Sequence, residues 1–226
     1  MENIKELKAR SLRLTNRLKE LYPDAYCALN YQSPLQLLLA TILSAQCTDA
    51  RVNMVTPQLF ERFPTSFSLA DANPDELESI IRSTGFYKNK AKSIIACCKA
   101  LVKDHNGEVP KTMNELVLLA GVGRKTANVV LGNAFGIPGL PVDTHVSRLS
   151  FRLGLSKSKD PVKIELDLYK LVKEEEWTIF GHRIIEHGRK ICASQKPKCE
   201  DCALSDLCPR EGVTKVKSSD KEKKKP

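Results

Sequence analysis

Lys125 stands two residues past Gly121-Val122-Gly123, at the start of an amphipathic run. The glycines let the chain reverse tightly and approach a ligand closely. Free N–H groups at the start of the following helix offer a seat for one phosphate. A lysine beside such a seat is a candidate nucleophile, since an amine that has shed its proton can attack carbon and form a Schiff base. The positive end of a helix favours that loss. Eighteen residues on, Asp143 opens Val142-Asp143-Thr144-His145-Val146-Ser147-Arg148. Its place ahead of an amphipathic stretch marks it as a helix N-cap. A capping carboxylate that also points into a cleft can stabilise a cation formed on a substrate. A tight ion pair between the two would hold the amine protonated, so Lys125 and Asp143 are expected to face each other across a substrate site.

Four of the eight cysteines are crowded into seventeen residues: Cys192, Cys199, Cys202 and Cys208, separated by six, two and five residues. Lysine, proline and acidic residues fill the gaps, so the segment is a loop. Four thiols this close point to metal or cluster ligation rather than to disulfides in a chain with no secretory leader. Structural zinc fits four cysteines. The mixed spacing, with Cys199 and Cys202 as the one Cys-x-x-Cys pair, favours a [4Fe–4S] cluster. Cys27, Cys47, Cys97 and Cys98 have no ligand spacing and read as buried small hydrophobes. Of the histidines, His145 neighbours Asp143 and is a candidate DNA contact. His105, His182 and His187 read as structural or surface residues.

The elements that must position these groups are helical. Ser33-Pro34, Asn73-Pro74 and Asp160-Pro161 each set a capping residue before a proline at the first helical position. The first of these opens an apolar helix over 34–46. Thr112 and Glu115 form a capping box. Gly107, Gly136 and Gly154 fall where helices over 88–106, 124–135 and 144–153 should stop. Strand signals are nearly absent, so the fold class is all-α with about ten helices. Pro138–Val142 is an extended crossing between two helical lobes.

Net charge is +9 over 226 residues. The segment 213–226 carries six lysines against Asp220 and Glu222 and reads as a disordered basic tail. The positive balance suits a polyanion such as nucleic acid. The N-terminus is a charged amphipathic stretch without a cleavage site, and the longest apolar run, Leu37 to Leu43, is too short to span a bilayer. A cytoplasmic protein is expected, associated with the nucleoid through DNA and with no membrane partner.

Several motifs together are similar to those of the endonuclease III family, bifunctional DNA glycosylases of the helix-hairpin-helix superfamily. They are Leu43-Ser44-Ala45-Gln46, Tyr87-Lys88-Asn89-Lys90-Ala91, His105-Asn106-Gly107-Glu108-Val109-Pro110, the run from Gly121 to Val130, Val142-Asp143-Thr144-His145 and the four-cysteine loop. The resemblance runs from about Leu12 to Cys208. It implies a monomer with two helical lobes, a six-helix barrel and a cluster lobe, and a DNA-binding cleft between them. The implied boundaries are 1–26 for an N-terminal helix packing with the cluster lobe and 27–137 for the barrel, which holds the hairpin at about 112–135. The cluster lobe follows at 138–212.

The same resemblance casts Lys125 as the nucleophile at C1′ and Asp143 as its assistant. It gives Cys192, Cys199, Cys202 and Cys208 a [4Fe–4S] cluster. Gln46 and Phe86 become the side chains that fill the gap left by a flipped base. Gly121, Val122, Gly123, Arg124 and His145 are expected at the DNA, with Lys196 and Lys198 as a second phosphate anchor. The implied substrate is double-stranded DNA containing oxidised pyrimidines or abasic sites. Two residues depart from the family pattern: Ala120 replaces a hairpin proline, and Phe86 stands where leucine is common. An adenine-specific monofunctional glycosylase is disfavoured, because that group has a glutamate at the position of Thr41 and lacks the lysine at 125. A non-catalytic DNA-binding module with a zinc loop leaves Lys125 and Asp143 unexplained.

Overall fold

A computed structural model describes residues 2–213, all of them helix, turn or loop without strands. Apart from Val213, the expected basic tail lies outside the described residues. Eleven α-helices are present among these residues, and they surround two separate apolar cores.

The first core takes its residues from Leu29 to Leu131. Its helices are α2 (Pro34–Leu43), α3 (Asp49–Arg62), α4 (Ser66–Ala70), α5 (Pro74–Ile81), α6 (Tyr87–His105), α7 (Met113–Leu116) and α8 (Arg124–Ala134). The centre is α2, where Leu37, Leu38, Leu39 and Leu43 are all fully buried. Burial of each such side chain contributes about 1.5–3 kcal/mol. Ser33 caps α2 through Gln36 N, and Pro34 opens it. The helix ends at Leu43, short of the expected 46. The chain closes there in tight turns, Ala45 N to Ile42 O and Cys47 N to Ser44 O, which carry Gln46 into the left-handed region.

The second core joins the two ends of the chain. Leu14 and Leu18 of α1 (Ile4–Leu21) pack with α9 (Thr144–Arg152), α10 (Pro161–Tyr169), α11 (Trp177–Lys190) and Leu204 and Leu207 of the cysteine loop. Helix α1 is closed at its start by a reciprocal box, with Asn3 capping Glu6 N and Glu6 returning to Asn3 N. At Thr112 only half of the expected box forms. Thr112 Oγ1 accepts from Glu115 N, while the Glu115 carboxylate takes the threonine hydroxyl instead of the backbone. Gly107, Gly136 and Gly154 follow α6, α8 and α9 at positive φ.

The chain crosses between the cores twice, before Leu29 and again over Gly136–Val142. The second crossing is no loose linker: Leu140, Pro141 and Val142 are buried. It brings Asp143 to the same side as the start of α8.

Candidate active site and DNA interface

The hairpin is α7, a turn and α8. Val122 is buried and anchors the turn in the first core, while Gly121 and Gly123 on either side of it are exposed. Gly121 has φ +77°, and a Cβ there would lie 3.0 Å from Ser93 Cβ, so conformation and space both require glycine. Gly123 differs. Its backbone is extended, and a Cβ would meet nothing within 4 Å. The space beside it is open to an approaching ligand. Gly123 is the N-cap of α8 and brings no side chain to the task, so the first N–H groups of that helix have no side-chain partner.

Lys125 is exposed on the first turn of α8. It lines a cleft of about 370 Å³ between the cores, together with Asp143, Ser44, Asp49, Cys27 and Arg189. Asp143 caps α9: its Oδ1 accepts from His145 N and Val146 N, both at 2.8 Å. Its Oδ2 is 3.5 Å from His145 Nδ1. One oxygen therefore orients the carboxylate while the group as a whole borders the cleft. Among the described residues no carboxylate lies within ion-pair distance of Lys125.

Two ion pairs join the lobes, one of them lining this cleft. Arg189 Nη2 of α11 reaches Asp49 Oδ2 of α3 at 2.7 Å. Arg124 is held by the buried Glu165 of α10, Nε at 2.8 Å and Nη2 at 2.7 Å. Tyr169 donates to the same carboxylate at 2.7 Å, and its phenol is pushed up by burial and by Glu165. The Arg124 side chain is thus paired with Glu165. What Arg124 can offer a phosphate is its backbone N–H. Asp49, Arg189 and Glu165 were missed in the sequence, where nothing within reach of them signals a partner.

Gln46 and Phe86 are exposed at the tips of two turns, with φ of 52° and 50°. A side chain in that region costs about 1–2 kcal/mol. Phe86 is 62% exposed, an apolar ring standing in water. It is the N-cap of α6 and makes no capping hydrogen bond.

The four cysteines Cys192, Cys199, Cys202 and Cys208 line one cavity with Leu149, Arg152 and His187. Donors surround the sulfurs: Arg152 Nη1 at 3.3 Å from Cys192 Sγ and Arg210 N at 3.4 Å from Cys208 Sγ. His187 Nε2 is 3.5 Å from Cys202 Sγ, and the Tyr22 hydroxyl meets its Nδ1 at 2.8 Å. Burial pushes the Cys202 and Cys208 thiols up, and the neighbouring sulfurs add to this. Half-buried thiols with N–H donors and an arginine beside them suit ligands that bind as thiolates. Among the described residues no three His, Cys, Asp or Glu side chains gather around one point for a single ion.

Arg152 ties the loop to α9 through Ala193 O at 2.6 Å and Ser194 O at 2.8 Å. Lys196 and Lys198 are exposed on this loop. Cys97 and Cys98 are fully buried, and burial pushes the Cys97 thiol up to about 12. Cys27 and Cys47 are only half-buried, which corrects the expectation of core thiols.

Residues 39–174 match the family model described as HhH-GPD superfamily base excision DNA repair protein. The endonuclease III of Synechocystis sp. is 56% identical over 203 residues, covering 89% of this chain and 93% of that protein. The structure of a non-covalent endonuclease III–DNA complex superposes with a TM-score of 0.86 at 46% identity, covering 90% of this chain and 95% of that one. A trapped endonuclease III–DNA covalent intermediate, an estranged-adenine complex, gives the same TM-score and identity over 90% and 96%.

Proposed function

The chain belongs to the HhH-GPD superfamily and, within it, to the endonuclease III family, and we infer that it is a base excision repair enzyme, a DNA glycosylase and abasic-site lyase acting on oxidised pyrimidines in duplex DNA. The observation that carries this reading is the shared cleft. An exposed lysine beside a bare helix N-terminus borders the same space as an oriented carboxylate, with no ion pair among the described residues to silence it.

The damaged nucleotide leaves the stack at a cost of a few kcal/mol, and Gln46 and Phe86 fill the gap. The N–H groups of Gly123, Arg124 and Lys125 hold a backbone phosphate, helped by Gly121, Val122 and His145 along the same rim. Lys196 and Lys198 give a second phosphate anchor. Positive charge grows on the sugar as the base departs, and Asp143 stabilises it. The Lys125 amine bonds to C1′ as the C1′–N bond breaks, the departing base takes the proton that the nitrogen sheds, and opening of the C1′–O4′ bond with protonation of O4′ then gives the Schiff base. Removal of a C2′ proton then expels the 3′ phosphate by β-elimination, and water hydrolyses the imine to free Lys125.

The family implies a cofactor, and the four cysteines would hold a [4Fe–4S] cluster. When bound, this group supplies a rigid tie across the 192–208 loop, and the lysine chemistry requires no electron from it. Residues 1–26 and 138–212 form the lobe around it, and 27–137 form the barrel lobe.

Borohydride tests the reading. It should trap a covalent adduct between this protein and an abasic oligonucleotide, and Lys125→Gln should abolish the adduct. A full yield from that variant would refute the assignment.

A further inference from the structure

Lys90 is 6% exposed, far less than a lysine normally tolerates without partners. Its Nζ donates to Leu43 O at 2.8 Å and to Thr84 O at 2.9 Å. Leu43 closes α2, three residues before Gln46. Thr84 closes the short 3₁₀ turn Arg82–Thr84, two residues before Phe86. Both acceptors stand at helix ends, where carbonyls lack partners within the helix and draw a cation. Lys90 also grips the second turn through its backbone, since its own N–H donates to Phe86 O at 3.1 Å. One residue therefore binds the roots of both exposed turns that carry Gln46 and Phe86 at positive φ.

We propose that Lys90 is a positioning residue that holds the Gln46 and Phe86 turns at a fixed separation, so that both side chains enter the duplex as one pre-spaced wedge. The inference rests on the gap-filling reading of those two residues. The physical argument is pre-organisation. The gap left by one nucleotide has a set width, and two tips that wander independently must be ordered at the moment of binding. A methionine at 90 would fill the same space but leave two buried carbonyls without donors. Burial lowers the tendency of Lys90 to stay charged, and the nearby Cys47 opposes this.

The test compares Lys90→Met and Lys90→Arg with the unmodified chain on two substrates. An abasic single strand needs no wedge, and a lesion-bearing duplex does. Lys90→Met should melt cooperatively and form the borohydride adduct on the single strand within about twofold of normal, while duplex excision falls about tenfold or more in kcat. Fluorescence of a 2-aminopurine beside the lesion should lose its rise on binding. Lys90→Arg, which keeps donors, should recover part of the duplex rate. Adding Gln46→Ala to Lys90→Met should cost little more, because the wedge is already disordered. Normal duplex excision by Lys90→Met, an equal loss on both substrates, or fully multiplicative effects of the two substitutions would each overturn the proposal. The wedge reading fails separately, if Gln46→Ala and Phe86→Ala in the intact chain leave duplex excision unchanged.

Discussion

Helices α8 and α9 both begin at the cleft, and they begin in opposite ways. Gly123 leaves the first N–H groups of α8 bare, whereas Asp143 closes those of α9 with two 2.8 Å hydrogen bonds. The backbone physics is the same at both ends: unpaired donors and a positive dipole that attract negative charge. At α8 the charge must come from outside, so under the proposed function the helix start is a phosphate seat and positions Lys125. At α9 it comes from the chain itself, so the helix start fixes a carboxylate beside that lysine. On that reading, glycine at one N-cap and aspartate at the other divide binding from catalysis.

The largest effect expected from breaking this arrangement is at Lys125. Lys125→Gln keeps the α8 start intact, and should retain duplex affinity in a filter or anisotropy assay while the adduct rate drops by ~10³-fold or more. Asp143→Asn comes next. Asparagine caps as well as aspartate, so the melting temperature should hold while turnover slows about a hundredfold. Asp143→Ala should show the same slowing plus the lost cap, a further ~1 kcal/mol of stability. If the asparagine variant turns over normally, Asp143 is a cap and nothing more.

Gly123→Asp would make α8 resemble α9. The open space beside Gly123 accepts the side chain, so the protein should melt no lower than the parent. The added carboxylate takes the phosphate's place, and affinity for undamaged and damaged duplex alike should fall about tenfold. Unchanged affinity would mean that the bare helix end is not a phosphate seat. The smallest effect belongs to Glu165→Gln. It releases Arg124 beside the seat at a cost of roughly 1–2 kcal/mol in stability, and the slope of log affinity against log salt should steepen by about one unit.

The division between α8 and α9 was legible in the sequence because it is local. A glycine pair before a lysine and an aspartate ahead of an amphipathic run are each written within a few residues, and so are the cysteine spacings. The end of α2 was not legible, because the last carbonyl of that helix, Leu43 O, takes its donor from the Lys90 ammonium of α6. Arg124 has no nearby acid to give away its pairing, since Glu165 is 41 residues on. Asp49 and Arg189 are 140 residues apart. Lys90 stood within a motif that marks the family, but its two acceptors are backbone oxygens of other elements, and backbone atoms leave no trace in residue identity. Cys27 was taken for a core thiol because the chain around it gives no sign that it borders a cleft.

Leu14 and Leu18 of helix α1 share a core with Val146, Phe180 and Leu204, residues that the ribosome makes more than a hundred positions later. The first core lies wholly between, and its sequence is complete by Leu131. Synthesis therefore runs in an order in which α1 emerges first and docks last. Closing that long loop adds only slowly to the entropic cost as the loop lengthens, but the helix must survive the wait unaided. Its capping box and its many lysines and arginines equip it for this, keeping the segment helical and soluble until its docking surface has been translated.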